Sequence, residues 1–355
     1  MGAYYLIYAA LTLPVVFSAA GRTMFRTLMT LAFAVVAVHT WGKGAVGTDA
    51  GVYLAIIAQV IESGGTGGTV EPGFEVLILG LSRISNHPQT ILNMIGCASL
   101  VFALIALLRM PWVASAIVFA VYGTYFLVDG AFNVVRLGLA LALVLLAYAE
   151  YERRKVLWSA ILGVLAVSVQ FTAALPILII VLLTVRTVRT KIIVGMAAGA
   201  MIVWIYADRL DEKFELYTAD IAEKGWSGLA IAAIGGMLLA VEAAGRRGSI
   251  SKSAVVLVLA ILACSLPNDY GHLTTRLGQL LLFALAVLVA MSVERAALPK
   301  IGMRVDSVGT GSVRPAFWIL LVATAAASSV FRLRNIADVS PTYITPYVPF
   351  KWRQE

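Results

Sequence analysis

Long apolar runs recur from the first residues to about residue 330, parted by short polar or basic stretches, and this recurrence limits the chain more than any other feature. A bilayer core about 30 Å thick takes roughly 20 helical residues to cross, with about 17 as the working minimum. The runs fall at 3–20, 27–41, 74–84, 90–108, 111–128, 134–149, 156–169, 172–185, 192–207, 228–244, 253–266, 277–293 and 315–331. The expected fold is an all-α polytopic membrane protein with about twelve transmembrane helices plus a short re-entrant or broken segment. A single integral membrane domain covers 1–355, because 61% apolar and 13% charged residues leave too few charges to coat a water-soluble surface. The first run lacks a basic n-region and is followed by Arg22 and Arg26, so it reads as a span and not as a cleaved signal.

The net charge of +8 comes from Lys and Arg clustered between apolar runs, which is the pattern of membrane sidedness and not of a nucleic-acid surface. The markers are Arg22 with Arg26, Arg109, Arg153 to Lys155, Arg186 with Arg189 and Lys191, Arg246 and Arg247 with Lys252, and Arg295 through Arg314. All of them fit in the cytoplasm if 74–84 re-enters from outside and 156–185 forms a hairpin with its turn at Gln170. The outer connections are then 42–73, 85–89, 129–133, the turn at Gln170, 208–227, 267–276 and the tail after Phe331. The extracytoplasmic loop 208–227 suits this placement, since Asp208 to Lys224 carries six acids against three bases. Arg332, Arg334, Lys351 and Arg353 near the tail either meet lipid phosphates or argue against this sidedness for the last span. Cys97 and Cys264 lie in apolar runs without metal-ligand spacing and read as small core residues.

Polar groups converge on the outer side. Asp49 and Tyr53 are four apart and share a helix face until the glycines at 64–68 break that helix. Glu71 then precedes Pro72, which suits the first turn of the short run; the plain reading of Glu71 is a carboxylate capping a helix start. Asn133 and Arg136 are three apart at the head of another span and point the same way. An Arg this near hydrocarbon snorkels, pairs, or faces an aqueous cavity. Gln170, Tyr217, Asp269, His272 and Arg276 complete the outer set, each with an ordinary reading as a loop residue. Two arginines and several carboxylates at one membrane face, beside broken apolar segments, can neutralise a diphosphate and supply a base. No Walker loop, dinucleotide fingerprint, zinc-protease helix or nucleophile elbow competes, and the GGTGG stretch lacks the strand and helix of a phosphate loop.

In order along the chain, "GTD…Y", "EPGFEVL", "FNVVRLGLALA", the basic "ERRK" before a broken apolar hairpin, a Tyr in a late outer loop, "TTRLG" and a terminal "PY" resemble the EpsG-like group of Wzy-type polysaccharide polymerases. The likeness departs at "SVQFTAAL", where Gln170 stands in place of a histidine common in such hairpins. The resemblance implies a GT-C-like glycosyltransferase of the bacterial cytoplasmic membrane, its active site facing the periplasm or cell exterior. Such an enzyme polymerises polyprenyl-diphosphate-linked oligosaccharides without a metal or other cofactor. Its partners are that lipid-linked substrate, membrane lipids, and a chain-length regulator or export protein; nucleic acid is not among them. Arg136 and Arg276 are expected to bind the donor diphosphate, with Glu71 as first and Asp49 as second choice of general base. Tyr53, Asn133, Gln170, Tyr217 and His272 are expected to bind substrate. Two rivals stand beside this reading. A transporter or flippase also uses broken helices and intramembrane charge, but places some of it at the midplane. An O-antigen ligase-type transferase shares the chemistry and differs in acceptor.

Overall fold

A computed structural model describes residues 2–47, 49–65, 70–184, 227–246, 248–265, 271–297 and 315–339. The run expected at 192–207 and residues 208–226 of the expected loop, with Tyr217, lie outside the described residues, as do Asp269, Lys351 and Arg353. All regular structure among the described residues is helical: α1 (Gly2–Val16), α2 (Arg22–Gly42), α3 (Ala50–Ser63), α4 (Pro72–Ser82), α5 (Pro88–Arg109), α6 (Trp112–Val121), α7 (Leu127–Phe132), α8 (Val135–Glu152), α9 (Val156–Val169), α10 (Ala174–Thr184), α11 (Ser227–Gly245), α12 (Lys252–Ser265), α13 (Gly271–Ala297) and α14 (Pro315–Val339). Seven helical stretches are long and apolar enough to cross a bilayer, while α3, α4, α9, α10 and α12 are apolar but shorter. This is a polytopic membrane protein. Large apolar side chains such as Leu157, Val164, Val76 and Ile319 stand exposed on its helices, a surface suited to lipid contact.

Among the described residues the expected runs match helices, but several ends move outward. The run at 277–293 belongs to α13, which begins at Gly271, so His272 and Arg276 sit on a helix and not in an outer connection. The run at 315–331 continues to Val339. The connection placed at 129–133 shrinks to Asn133 and Val134, because a π-helical turn at Tyr122–Phe126 joins α6 to α7. Asn133 and Arg136 therefore flank a break between α7 and α8 and do not share one helix face as expected. The stretch Trp112–Phe132 and α13 form the buried centre, and α1, α2, α11 and α14 bury under half of their residues. Tyr122 and Phe126 meet Phe283 of α13 edge-on, at centroid distances of 6.1 and 6.0 Å. Where α7 turns back into α8 the backbones touch: a side chain on Gly130 would come within 2.7 Å of the Gly138 Cα, so both positions must be glycine.

The helix ends sort into two groups. At one end Arg26 donates to the carbonyls of Leu108 and Met110, Arg109 and Lys155 pair with Glu150, and Arg295 pairs with Glu152. Arg246 and Ser292 both donate to Glu242 at the ends of α11 and α13. Arg26, Arg109, Lys155, Arg246 and Arg295 are among the basic markers of the sequence, while Arg186, Arg189, Lys191, Arg247 and Arg314 lie outside the described residues. At the other end lie residues 43–47 and 49 with the segments 70–73, 88–93, 129–136 and 170–171, and there the candidate residues described meet.

Candidate functional site

Pro72 opens α4 at its first position, where a missing N–H costs nothing, and this leaves Glu71 at the N-cap with extended backbone. Glu71 makes no side-chain cap bond. Its carboxylate instead turns toward α8, where Arg136 Nη1 donates to Oε2 at 2.5 Å. The other oxygen lies 3.5 Å from the Phe171 backbone nitrogen, just past Gln170. The plain capping reading of Glu71 gives way to an ion pair across 65 positions of sequence. Arg136 does not snorkel either.

The pair is positioned by packing on three sides. The guanidinium lies 5.6 Å from the centre of the Tyr53 ring and 5.5 Å from that of Phe74, and these rings meet edge-on at 6.2 Å. Tyr53 on α3 and Phe74 on α4 thus wall a cation slot. Gly73 lets α4 press against the end of α9; any side chain there would come within 2.7 Å of the Ser168 carbonyl. Side chains of Arg136 and Glu71 remain 22% and 16% exposed, so the pair is sheltered yet open to a ligand. The Nε of Arg136 is buried without a hydrogen-bond partner among the described residues, an expensive state for a cationic donor. Burial raises the pKa of the Tyr53 phenol, and the neighbouring Arg136 charge and hydrogen bond pull against that rise.

Asp49 stands at the N-cap of α3, and its backbone N–H donates to Asn133 Oδ1 at 2.8 Å. Asn133 Nδ2 donates to Asp129 Oδ1 at 3.3 Å. Behind this, Arg332 of α14 donates to the Tyr125 carbonyl at 2.9 Å and to Asp129 Oδ2 at 3.4 Å, with its guanidinium 4.0 Å from the Tyr125 ring centre. Arg332 is thus buried and turned inward at the same end as Asn133. Arg276 acts electrostatically on Tyr53 and so belongs to the same neighbourhood. Gln170 is less engaged: its amide donates to Thr172 Oγ1 at 3.3 Å, and only the backbone beside it approaches Glu71. The His272 side chain and Tyr217 lie outside the described residues.

Sequence reasoning passed over Lys43, Asp129, Gln89 and Asn93. Lys43 Nζ donates to the carbonyls of Ala131 and Phe132 at 2.8 and 2.9 Å, and burial pulls its pKa down to about 7. The signal for Asp129 was its charge inside a long apolar stretch. No group of three or more His, Cys, Asp or Glu side chains suited to a metal ion occurs among the described residues.

The geometry offers a sheltered cation with an unmet donor, a carboxylate beside it, and two aromatic walls. Such a slot can take an anionic group onto Arg136 and leave Glu71 to receive a proton. The EpsG family model matches residues 25–300, which include every one of these groups except Arg332. No curated protein and no solved structure matches the chain.

Proposed function

The chain belongs to the EpsG family, and from that premise we propose that it is a membrane glycosyltransferase that polymerises polyprenyl-diphosphate-linked oligosaccharide repeat units. The fold is GT-C-like with about twelve crossings, in the bacterial cytoplasmic membrane, with the site at the outer face. A chain growing on one lipid diphosphate passes to the terminal sugar of a second lipid-linked unit. The bond from the anomeric carbon to the donor phosphate breaks, a bond to the acceptor oxygen forms, and the acceptor proton goes to Glu71. Arg136 and Arg276 bind the donor diphosphate and stabilise it as charge builds on the leaving group. Asp49 is the alternative base. Tyr53, Asn133, Gln170, Tyr217 and His272 line the path of sugar and phosphate, and a chain-length regulator or export protein takes up the product.

The observation that carries this reading is the partly exposed Arg136 guanidinium paired with a carboxylate in an aromatic slot. A phosphate oxygen that reaches the exposed part of the guanidinium competes with Glu71 for it, which frees Glu71 to act as a base. The test is purified protein in lipid with a polyprenyl-diphosphate-linked repeat unit, its products followed by gel and mass spectrometry with and without a chelator. A ladder of regular spacing that survives chelation and disappears in Arg136→Ala is the expected result. Substrate appearing on the far side of proteoliposomes, with no ladder, would replace the enzyme by a transporter.

A further inference from the structure

Lys43 comes directly after α2 and is wholly buried, yet the chemistry above does not use it. Its main chain is held by the first turns of α5: Asn93 Nδ2 donates to the Lys43 carbonyl at 3.1 Å, and Gln89 Nε2 donates to the Gly44 carbonyl at 3.3 Å and to Asn93 Oδ1 at 2.9 Å. From that anchored backbone the side chain crosses to the end of α7. There Nζ donates to the carbonyls of Ala131 and Phe132, and the ammonium lies 5.2 Å from the centre of the Phe132 ring. Ala131 and Phe132 are the last two residues of α7, where carbonyls lack intrahelical partners and the helix end favours a cation.

The chain just after Phe132 accounts for the cost of burying an ammonium. Asn133 and Val134 both donate their backbone N–H to the Asp129 carbonyl, at 2.8 and 2.9 Å, and the chain then re-enters a helix whose second residue is Arg136. Asn133 supplies the oxygen that holds Asp49, and Arg136 holds Glu71. All of these contacts depend on how the break at 131–134 is set. An apolar side chain would fill the Lys43 site at less cost in desolvation but would take away the Nζ donor shared by two carbonyls.

We propose that Lys43 is a positioning residue for the transfer reaction, fixing the break between α7 and α8 so that Asn133 and Arg136 meet the donor and Glu71 in register. This rests on the polymerase reading. It concerns alignment and not attraction, so its loss is expected in turnover more than in substrate binding, since a misplacement of about 1 Å costs on the order of a hundredfold in rate.

The test compares wild type, Lys43→Met, Asn133→Ala and the double variant, using polyprenyl-diphosphate-linked repeat units extracted from the host membrane, with hydrogen exchange of the same samples in lipid. Lys43→Met is expected to lose roughly a hundredfold in kcat with KM within about threefold of wild type. Exchange is expected to quicken at 130–136 and stay unchanged in the other helices. Asn133→Ala is expected to add less than about threefold on top of Lys43→Met, because both act through one element. Wild-type turnover in Lys43→Met, or losses that multiply in full in the double variant, overturns the proposal. Should Lys43→Met not insert, Lys43→Arg carries the same cycle, with about a tenfold loss and the same non-additivity expected; full multiplication overturns it there as well. A wild-type protein that makes no ladder refutes the polymerase reading alone, because the exchange measurement still decides whether Lys43 holds the break.

Discussion

At the residue scale the centre of the molecule is one ion pair with unequal members. Arg136 has five donors in a fixed fork, and Glu71 takes one of them at 2.5 Å. A carboxylate held this way has Oε2 engaged by the guanidinium. In the proposed reaction, phosphate that draws the guanidinium away opens that oxygen to the acceptor hydroxyl. Glu71→Gln keeps the shape and an acceptor for Arg136 but cannot take a proton. We predict a loss of about 10²- to 10⁴-fold in kcat with KM nearly unchanged, measured on the product ladder. Wild-type turnover in that variant would move the base role to Asp49. Both members were legible in the sequence because each is costly alone near hydrocarbon, and cost is what a sequence displays. Whether Arg136 snorkelled and Glu71 capped a helix was not legible, because the answer lay in a contact between segments far apart in the chain. Lys43 was hidden for a related reason: a lysine after a span, among glycines, reads as an interfacial charge until α5 and α7 close around it.

At the element scale the site depends on α4, whose eleven residues reach only about 16 Å and cannot cross a bilayer. Such a helix is held by its neighbours, and Gly73 against Ser168 is where α9 holds it. The hairpin on the other side of that contact is real: Gly163 of α9 faces Ile177 of α10, each seven positions from Gln170, and a methyl group on Gly163 would sit 3.9 Å from the Ile177 Cδ1. Gly73→Ala forces a methyl group into the Ser168 backbone, and overpacking of this kind costs about 1–3 kcal/mol. We predict a drop of several degrees in apparent Tm and at least a tenfold loss of polymer, because Glu71 moves with the helix. Gly80→Ala on the same helix meets nothing within 4 Å and is expected to leave both unchanged, so equal effects from the two variants would refute the packing argument. Elements were legible from apolar runs, and their ends were not, for a physical reason. Hydropathy reports which residues prefer lipid, whereas a helix ends where its backbone loses hydrogen-bond partners. α13 therefore carries His272 and Arg276 in its first turns, and α14 carries Arg332 and Arg334 past the apolar run.

At the scale of the whole molecule the separation of charge sets orientation. One end gathers Arg26, Arg109, Lys155, Arg246 and Arg295 with Glu150, Glu152 and Glu242, and the other holds the Glu71–Arg136 slot. Pairs in the basic group that remain partly exposed are worth only about 0–1 kcal/mol each, so their grouping says little about stability. It says more about insertion, because Lys and Arg flanking spans are retained in the cytoplasm. If that rule governs here, the slot opens outward, where lipid-linked repeat units would be joined. The expectation is tested with single cysteines in a background of Cys97→Ala and Cys264→Ala, using a membrane-impermeant maleimide on intact cells. Asn86→Cys, exposed between α4 and α5 at the slot end, is expected to label directly. Arg153→Cys, exposed between α8 and α9 at the basic end, is expected to label only after permeabilisation. The reverse pattern would turn the molecule over, put the slot in the cytoplasm, and require a donor presented from inside. Labelling of both positions from outside would mean that the intervening α5 to α8 segment does not carry the chain across as its length and apolar character demand.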